Sequence, residues 1–150
     1  YLMKTMYHKP DRDRDLRRKA FEHLQAEKRR GKNPSLRRIA VLTVFGGADH
    51  FYVDYTSARR AMAVYRRHRD EGTADIATET AVKARSRHIS DAVDRMIKAD
   101  PLMSLPDALR HVLVSVPAPR FYISVPTAMR LLRPYLRMTA SYSPFPDPKA

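Results

Sequence analysis

Apolar residues along this chain recur mainly at intervals of three and four, the spacing of helices that bury one face. Leu16, Ala20 and Leu24 stand at i, i+4 and i+8 with Phe21 beside them. They predict a first helix over residues 13–30, stopped by Gly31. Ser35 is placed to cap a second helix with the stripe Leu36, Ile39, Ala40, Thr43 and Val44, ended by Gly46 and Gly47. Asp54 caps a third that runs to about Arg69, with Ala58, Ala61, Met62 and Tyr65 inward. Ile89, Ala92, Val93, Met96 and Ile97 share one face of a fourth helix over 87–99. Ser104 to Asp107 form a capping box with Pro106 in the first turn, ahead of the stripe Leu105, Ala108, Leu109, Val112 and Val116. Ser124 caps the last helix, with Pro126 in its first turn and Ala128, Leu131, Leu132 and Tyr135 inward. Pro134 is expected to kink or end it near Arg133. Residues 72–86, rich in Ala and Thr, read as a linker helix.

Two stretches invite another reading. Val41–Phe45 and Val112–Val116 are rich in β-branched residues, and each precedes an aromatic run, Phe51-Tyr52-Val53 or Phe121-Tyr122-Ile123. Short β-hairpins would fit there. The helix start at Ser104 and the three/four spacing back to Leu36 and Leu105 favour helix, leaving the Phe-Tyr pairs extended.

The pattern occurs twice. At an offset of 70 residues, seven of the twenty positions from 48 to 67 are identical: Ala48/Ala118, Phe51/Phe121, Tyr52/Tyr122, Ala58/Ala128, Arg60/Arg130, Tyr65/Tyr135 and Arg67/Arg137. One single-residue gap brings Ser35-Leu36 onto Ser104-Leu105, and further back Ala20-Phe21 resembles Ala92-Val93. The expectation is an all-α fold built on a duplicated three-helix unit with helix-turn-helix-like pairs. One domain then covers residues 1–138, its halves being about 13–70 and 86–138. Residues 139–150 hold three prolines in five positions and read as a Pro-rich tail, mobile or serving as a docking peptide through Tyr142 and Phe145.

Charge changes the picture. The 150 residues carry 29 Lys and Arg against 16 Asp and Glu, a net +13. Residues 1–38 alone hold +8, residues 39–72 hold +1, residues 73–105 are neutral and residues 106–150 hold +4. Arg outnumbers Lys 21 to 8, and the planar guanidinium suits phosphates and base edges. Such clustering points to a polyanion, nucleic acid first. A basic adaptor docking on an acidic protein or a nucleoprotein machine is the alternative. The absence of cysteine excludes thiolate metal sites, disulfides and Cys nucleophiles, and favours a cytoplasmic setting.

Catalytic chemistry is hard to find. The six histidines, at 8, 23, 50, 68, 88 and 111, form no metal-ligand spacing. Asp11, Asp13 and Asp15 alternate with Arg12 and Arg14 and read as a helix N-terminus rather than a metal cluster. Asp91 and Asp94 read as surface acids near Arg87, Arg95 and Lys98. The serines are explained as caps. No enzyme activity, metal or cofactor is expected.

The candidate contacts to nucleic acid are Arg12, Arg14, Arg17, Arg18, Lys28, Arg29, Arg30, Lys32, Arg37 and Arg38 in the first basic cluster. Arg59, Arg60, Arg66 and Arg67 lie outward on the third helix, and Arg120, Arg130, Arg133 and Arg137 in the second copy. A helix with a basic outer face, preceded by a helix and a turn, follows the logic of a recognition helix, although a turn of about eight residues is longer than the standard one. Tyr65 and Tyr135 are expected in the core, as are Phe51 and Phe121; the Phe-Tyr pairs offer faces for unpaired bases. Pro117-Ala-Pro-Arg-Phe-Tyr-Ile-Ser124 with Ala128 resembles a signature in small basic proteins of bacterial mobile elements and phages. The resemblance covers about 20 residues and implies a mobile-element setting and a nucleic-acid partner, without assigning a site. The expected function is therefore non-enzymatic binding of nucleic acid, DNA before RNA, without membrane association.

Overall fold

The computed structural model describes the backbone of residues 2–141 and the side chains of residues 8–136. The described chain is all-helical. Its elements are α1 (Leu2–Arg29), α2 (Leu36–Phe45), α3 (Tyr55–Asp70), α4 (Ala81–Ala99), α5 (Leu105–Ser115) and α6 (Val125–Ser141), with one 3₁₀ turn at Ile76–Thr78. Five of the helices start on the same device. The side-chain oxygens of Ser35, Asp54, Thr80, Ser104 and Ser124 accept the backbone N–H three residues on, at 3.1–3.2 Å. Each such cap stabilises its helix by about 1 kcal/mol.

Several sequence expectations change. Val41–Phe45 lies in α2 and Val112–Ser115 in α5, so neither β-branched stretch forms a hairpin. Their apolar residues sit on helical stripes, with Val44 and Val112 fully buried. The first helix begins at Leu2 rather than near Asp13, which leaves Asp11, Asp13 and Asp15 inside it; they serve ion pairs with Arg12, Arg14 and Arg18 instead of a helix N-terminus. The linker helix over 72–86 does not form. A 3₁₀ turn takes its middle, and Thr80 starts α4 six residues earlier than expected. Pro134 does not end α6, which runs to Ser141 and absorbs residues 139–141 of the expected tail. Pro134 sits on the exposed side of α6, where water can satisfy a carbonyl that loses its partner, so the break in the ladder is tolerated. The remaining tail residues, with Tyr142 and Phe145, lie outside the described residues.

The halves do not stand alone. α1 packs on α2, and α4 on α5, but the third helix of each half crosses over. α3 packs on α4 and α5, and α6 packs on α2 and α1. The fold thus consists of two three-helix clusters, α1–α2–α6 and α4–α5–α3, each completed by the other half's last helix. Ala58 and Met62 carry the buried side of α3, Ala128 and Leu132 that of α6. Tyr65 and Tyr135 are half-buried at the margin rather than in the core.

The segments that lead into α3 and α6 meet at a seam. Ala48 and Ala118 form an antiparallel bridge in which each N–H donates to the other's carbonyl at 2.9 Å. Gly47, at φ +98°, turns the chain into this bridge, a conformation few other residues adopt. Beyond the bridge the aromatic pairs exchange partners. Phe51 stacks on Tyr122 with ring centroids 6.0 Å apart, and Phe121 on Tyr52 at 5.8 Å, both nearly parallel. Phe51 and Phe121 are almost fully buried, as expected. The tyrosine faces are covered by phenylalanine, so the reading that the Phe-Tyr pairs stack on unpaired bases is corrected.

The two tyrosine hydroxyls reach the first helix of each half. Tyr52 donates to Asp15 on α1 at 2.5 Å, and Tyr122 lies 2.6 Å from His88 Nδ1 on α4. Asp15 and His88 are 73 residues apart, and so are the buried pairs Leu16/Ile89 and Ala20/Val93. The geometric register of α1 against α4 is therefore one residue off the Ala20/Ala92 match read from sequence.

Candidate nucleic-acid interface

Folding sorts the candidate basic residues by whether a carboxylate claims them. The first basic cluster divides at the middle of α1. Arg12 is held by Asp13 at 2.9 Å, Arg14 by Asp11 and Asp15 at 3.5 and 3.6 Å, and Arg18 by Asp49 and Glu22. Lys19 joins Asp49 at 3.2 Å. Arg17 alone in this stretch has no ion pair among the described residues. These cations neutralise acids of the same surface and hold α1 to the seam turn at Asp49.

The turn between α1 and α2 is different. Arg29, Arg30, Lys32 and Arg37 are exposed and have no ion pair among the described residues; Lys28 is half-buried on the same turn of α1. Arg38 bonds Glu27, a carboxylate only 2 % exposed, through a short contact. That hydrogen bond, with help from Lys32 and Arg30, holds the Glu27 carboxyl below its ordinary range. One buried anion thus anchors the turn, and the four cations around it are exposed. The free N–H groups at the start of α2 add to the positive potential there, since its first turn contains no acid.

The outer faces of α3 and α6 form the second region. Arg59, Arg60 and Arg67 on α3, and Arg130 and Arg133 on α6, are exposed with no ion pair among the described residues. On α3 they surround the exposed Ala63 and Val64. Arg137 lies on α6, but its side chain is outside the described residues.

Two candidates are withdrawn by geometry. Arg66 turns inward and bridges to α4, bonding Ser90 Oγ at 3.0 Å and Asp94 at 2.7 Å, because position 66 faces the α3–α4 contact. Arg120 is half-buried at the seam, donating to the carbonyls of Phe121 and Ile123 at 2.9 and 3.1 Å. Its guanidinium also lies 4.7 Å from the Phe45 ring centroid and 5.6 Å from that of Tyr122. Both arginines brace the fold. Asp94 likewise serves Arg66 and Arg69 of α3 rather than its neighbours on α4.

Sequence reading missed three features. Arg85 is half-buried on α4 without an ion pair among the described residues; burial lowers its pKa, and Arg12 across the seam adds repulsion. Arg110 lies over the Tyr55 ring, 4.6 Å from its centroid. A groove of about 720 Å³ runs between α3, the 72–80 segment and α4, with Val64, Tyr65, Ile76 and Val82 on its walls and Arg60 and Lys83 at its rim. Recognising Thr80 as a cap would have placed Lys83, Arg85 and Val82 on α4 and shown the groove's second wall.

No group of three His, Asp or Glu among the described residues is arranged to hold a metal, and no helix among them is long and apolar enough to cross a membrane. No family model, curated protein or solved structure matches the chain.

Proposed function

We propose that this protein binds nucleic acid without catalysing a reaction, duplex DNA before RNA. The observation that carries the reading is the set of exposed arginines without ion pairs on α3 and α6, Arg59, Arg60, Arg67, Arg130 and Arg133. Nearby acids are taken by other cations, Asp94 by Arg66 and Arg69 for example. Five free guanidiniums on helix surfaces raise the local potential and offer planar donors to phosphates and guanine edges. The α1–α2 turn supplies a further backbone-contacting patch through Arg29, Arg30, Lys32 and Arg37, which positions without reading sequence. We take the two halves as copies of one unit. The setting we infer is a cytoplasmic accessory factor of a mobile element or phage, supported by the resemblance of Pro117–Ser124.

The test is a salt titration of duplex binding. Replacing Arg60, Arg67, Arg130 and Arg133 by Ala should reduce the slope of log affinity against log salt by up to about 3.6, at about 0.9 per phosphate released. The melting curve should stay in place. An unchanged slope refutes the assignment of these residues. A second reading, docking on an acidic protein, is favoured by the groove with its exposed Val64, Ile76 and Val82. That reading expects no tight binding of bare duplex at about 0.15 M salt, where long-range attraction is screened.

A further inference from the structure

We infer that a single chain presents two recognition surfaces, α3 and α6, in opposite sense, and that its preferred target is a duplex carrying two inverted half-sites. The inference rests on the nucleic-acid reading above and adds the symmetry of the target. It comes from the seam. Ala48 and Ala118 pair antiparallel and exchange both hydrogen bonds. A translation, as in a stacked repeat array, sets corresponding residues apart along one direction. Only rotation about a two-fold axis brings them face to face with both bonds reciprocal. The aromatic layer repeats that exchange, Phe51 on Tyr122 and Phe121 on Tyr52. The hydroxyls make equivalent contacts within their own halves, Tyr52 to Asp15 and Tyr122 to His88. The helices follow, α3 on α4 and α5, α6 on α1 and α2.

Arg60 and Arg130 occupy corresponding positions on α3 and α6, each two residues after a buried alanine, Ala58 or Ala128. The same axis therefore carries them. Duplex DNA has two-fold axes of its own, perpendicular to its length. A two-fold protein that aligns with one meets two half-sites of inverted polarity. Dimeric binders reach this arrangement with two chains, whereas here both helices belong to one. The surfaces are related but unequal. α3 sets the small apolar Ala63 and Val64 among its arginines, a fit for thymine methyl groups, and α6 places Arg133 and Pro134 at those positions. The inverted halves should accordingly differ in sequence.

The experiment is enrichment of bound duplexes from a random library with the full chain, followed by mass measurement of the complex. The expected result is an imperfect inverted repeat occupied by one chain. Arg60→Ala and Arg130→Ala, both exposed positions, should each relax selection in one half-site only, by about tenfold or more. A direct repeat, an unstructured pool despite duplex binding, or two chains on one inverted repeat would overturn the inference and leave nucleic-acid binding standing. Failure to bind any duplex removes both.

Discussion

Tyr52 and Tyr122 occupy matching places in the seam, yet their hydroxyls meet opposite chemistry. Tyr52 donates to a carboxylate, Asp15, in a stretch of α1 crowded with Arg14 and Arg18. Tyr122 meets the neutral-leaning imidazole of His88, whose neighbours are Arg87 and Glu79. The backbones differ too. Tyr52 is the one non-glycine residue of the described chain with positive φ, at 55°, a conformation costing about 1 kcal/mol, while Tyr122 carries no such strain. The apolar layer between them is the same on both sides. Shape and burial thus hold the two halves in register, and the polar ends are free to diverge as long as each hydroxyl keeps a partner.

The comparison breaks most easily at its centre. Phe51→Ala and Phe121→Ala each remove a buried ring and should cost about 3–5 kcal/mol, measured by denaturant unfolding. The two values should lie close together; a gap of several kcal/mol would show that one half dominates the seam. Smaller and unequal losses are expected from the hydroxyls. Tyr52→Phe strips a bond to a charged acceptor and should cost about 1.5–3 kcal/mol, Tyr122→Phe about 0.5–1.5 kcal/mol. Equal losses would mean that the carboxylate is worth no more than the imidazole.

The subtlest difference is in pH. Burial, and then Arg87, hold the His88 pKa below its ordinary 6.5. The unfolded chain takes up that proton more readily, so stability is complete above about pH 6.5 and falls as the pH drops below it toward the carboxylate range. His88→Asn should flatten this part of the stability profile, followed as melting temperature against pH.

Much of the architecture was readable from three/four spacing because each helix buries a single stripe, as Leu36–Val44 and Leu105–Val112 do. The caps were readable because serine and aspartate bond locally. The exchange of α3 and α6 was not, since spacing marks which face is buried and not what covers it. The basic surface was readable as a composition, but its sorting was not. Arg66 and Arg67 are adjacent in sequence, and one braces α4 while the other faces water; Arg66 follows Ala58 and Met62 at four-residue steps, but its partners Ser90 and Asp94 lie on another helix. Arg120 looked available because no acid stands near it in the chain, whereas its acceptors are backbone carbonyls and its cover is Phe45.

Because each half is completed by the other's last helix, the covalent route from one to the other is a single short span, Glu71 to Thr80, lying almost entirely at the surface. That span ties two pieces that already grip each other. Cutting it would leave two fragments interlocked, associating without a tether, while either fragment alone would expose the bed its missing helix should fill.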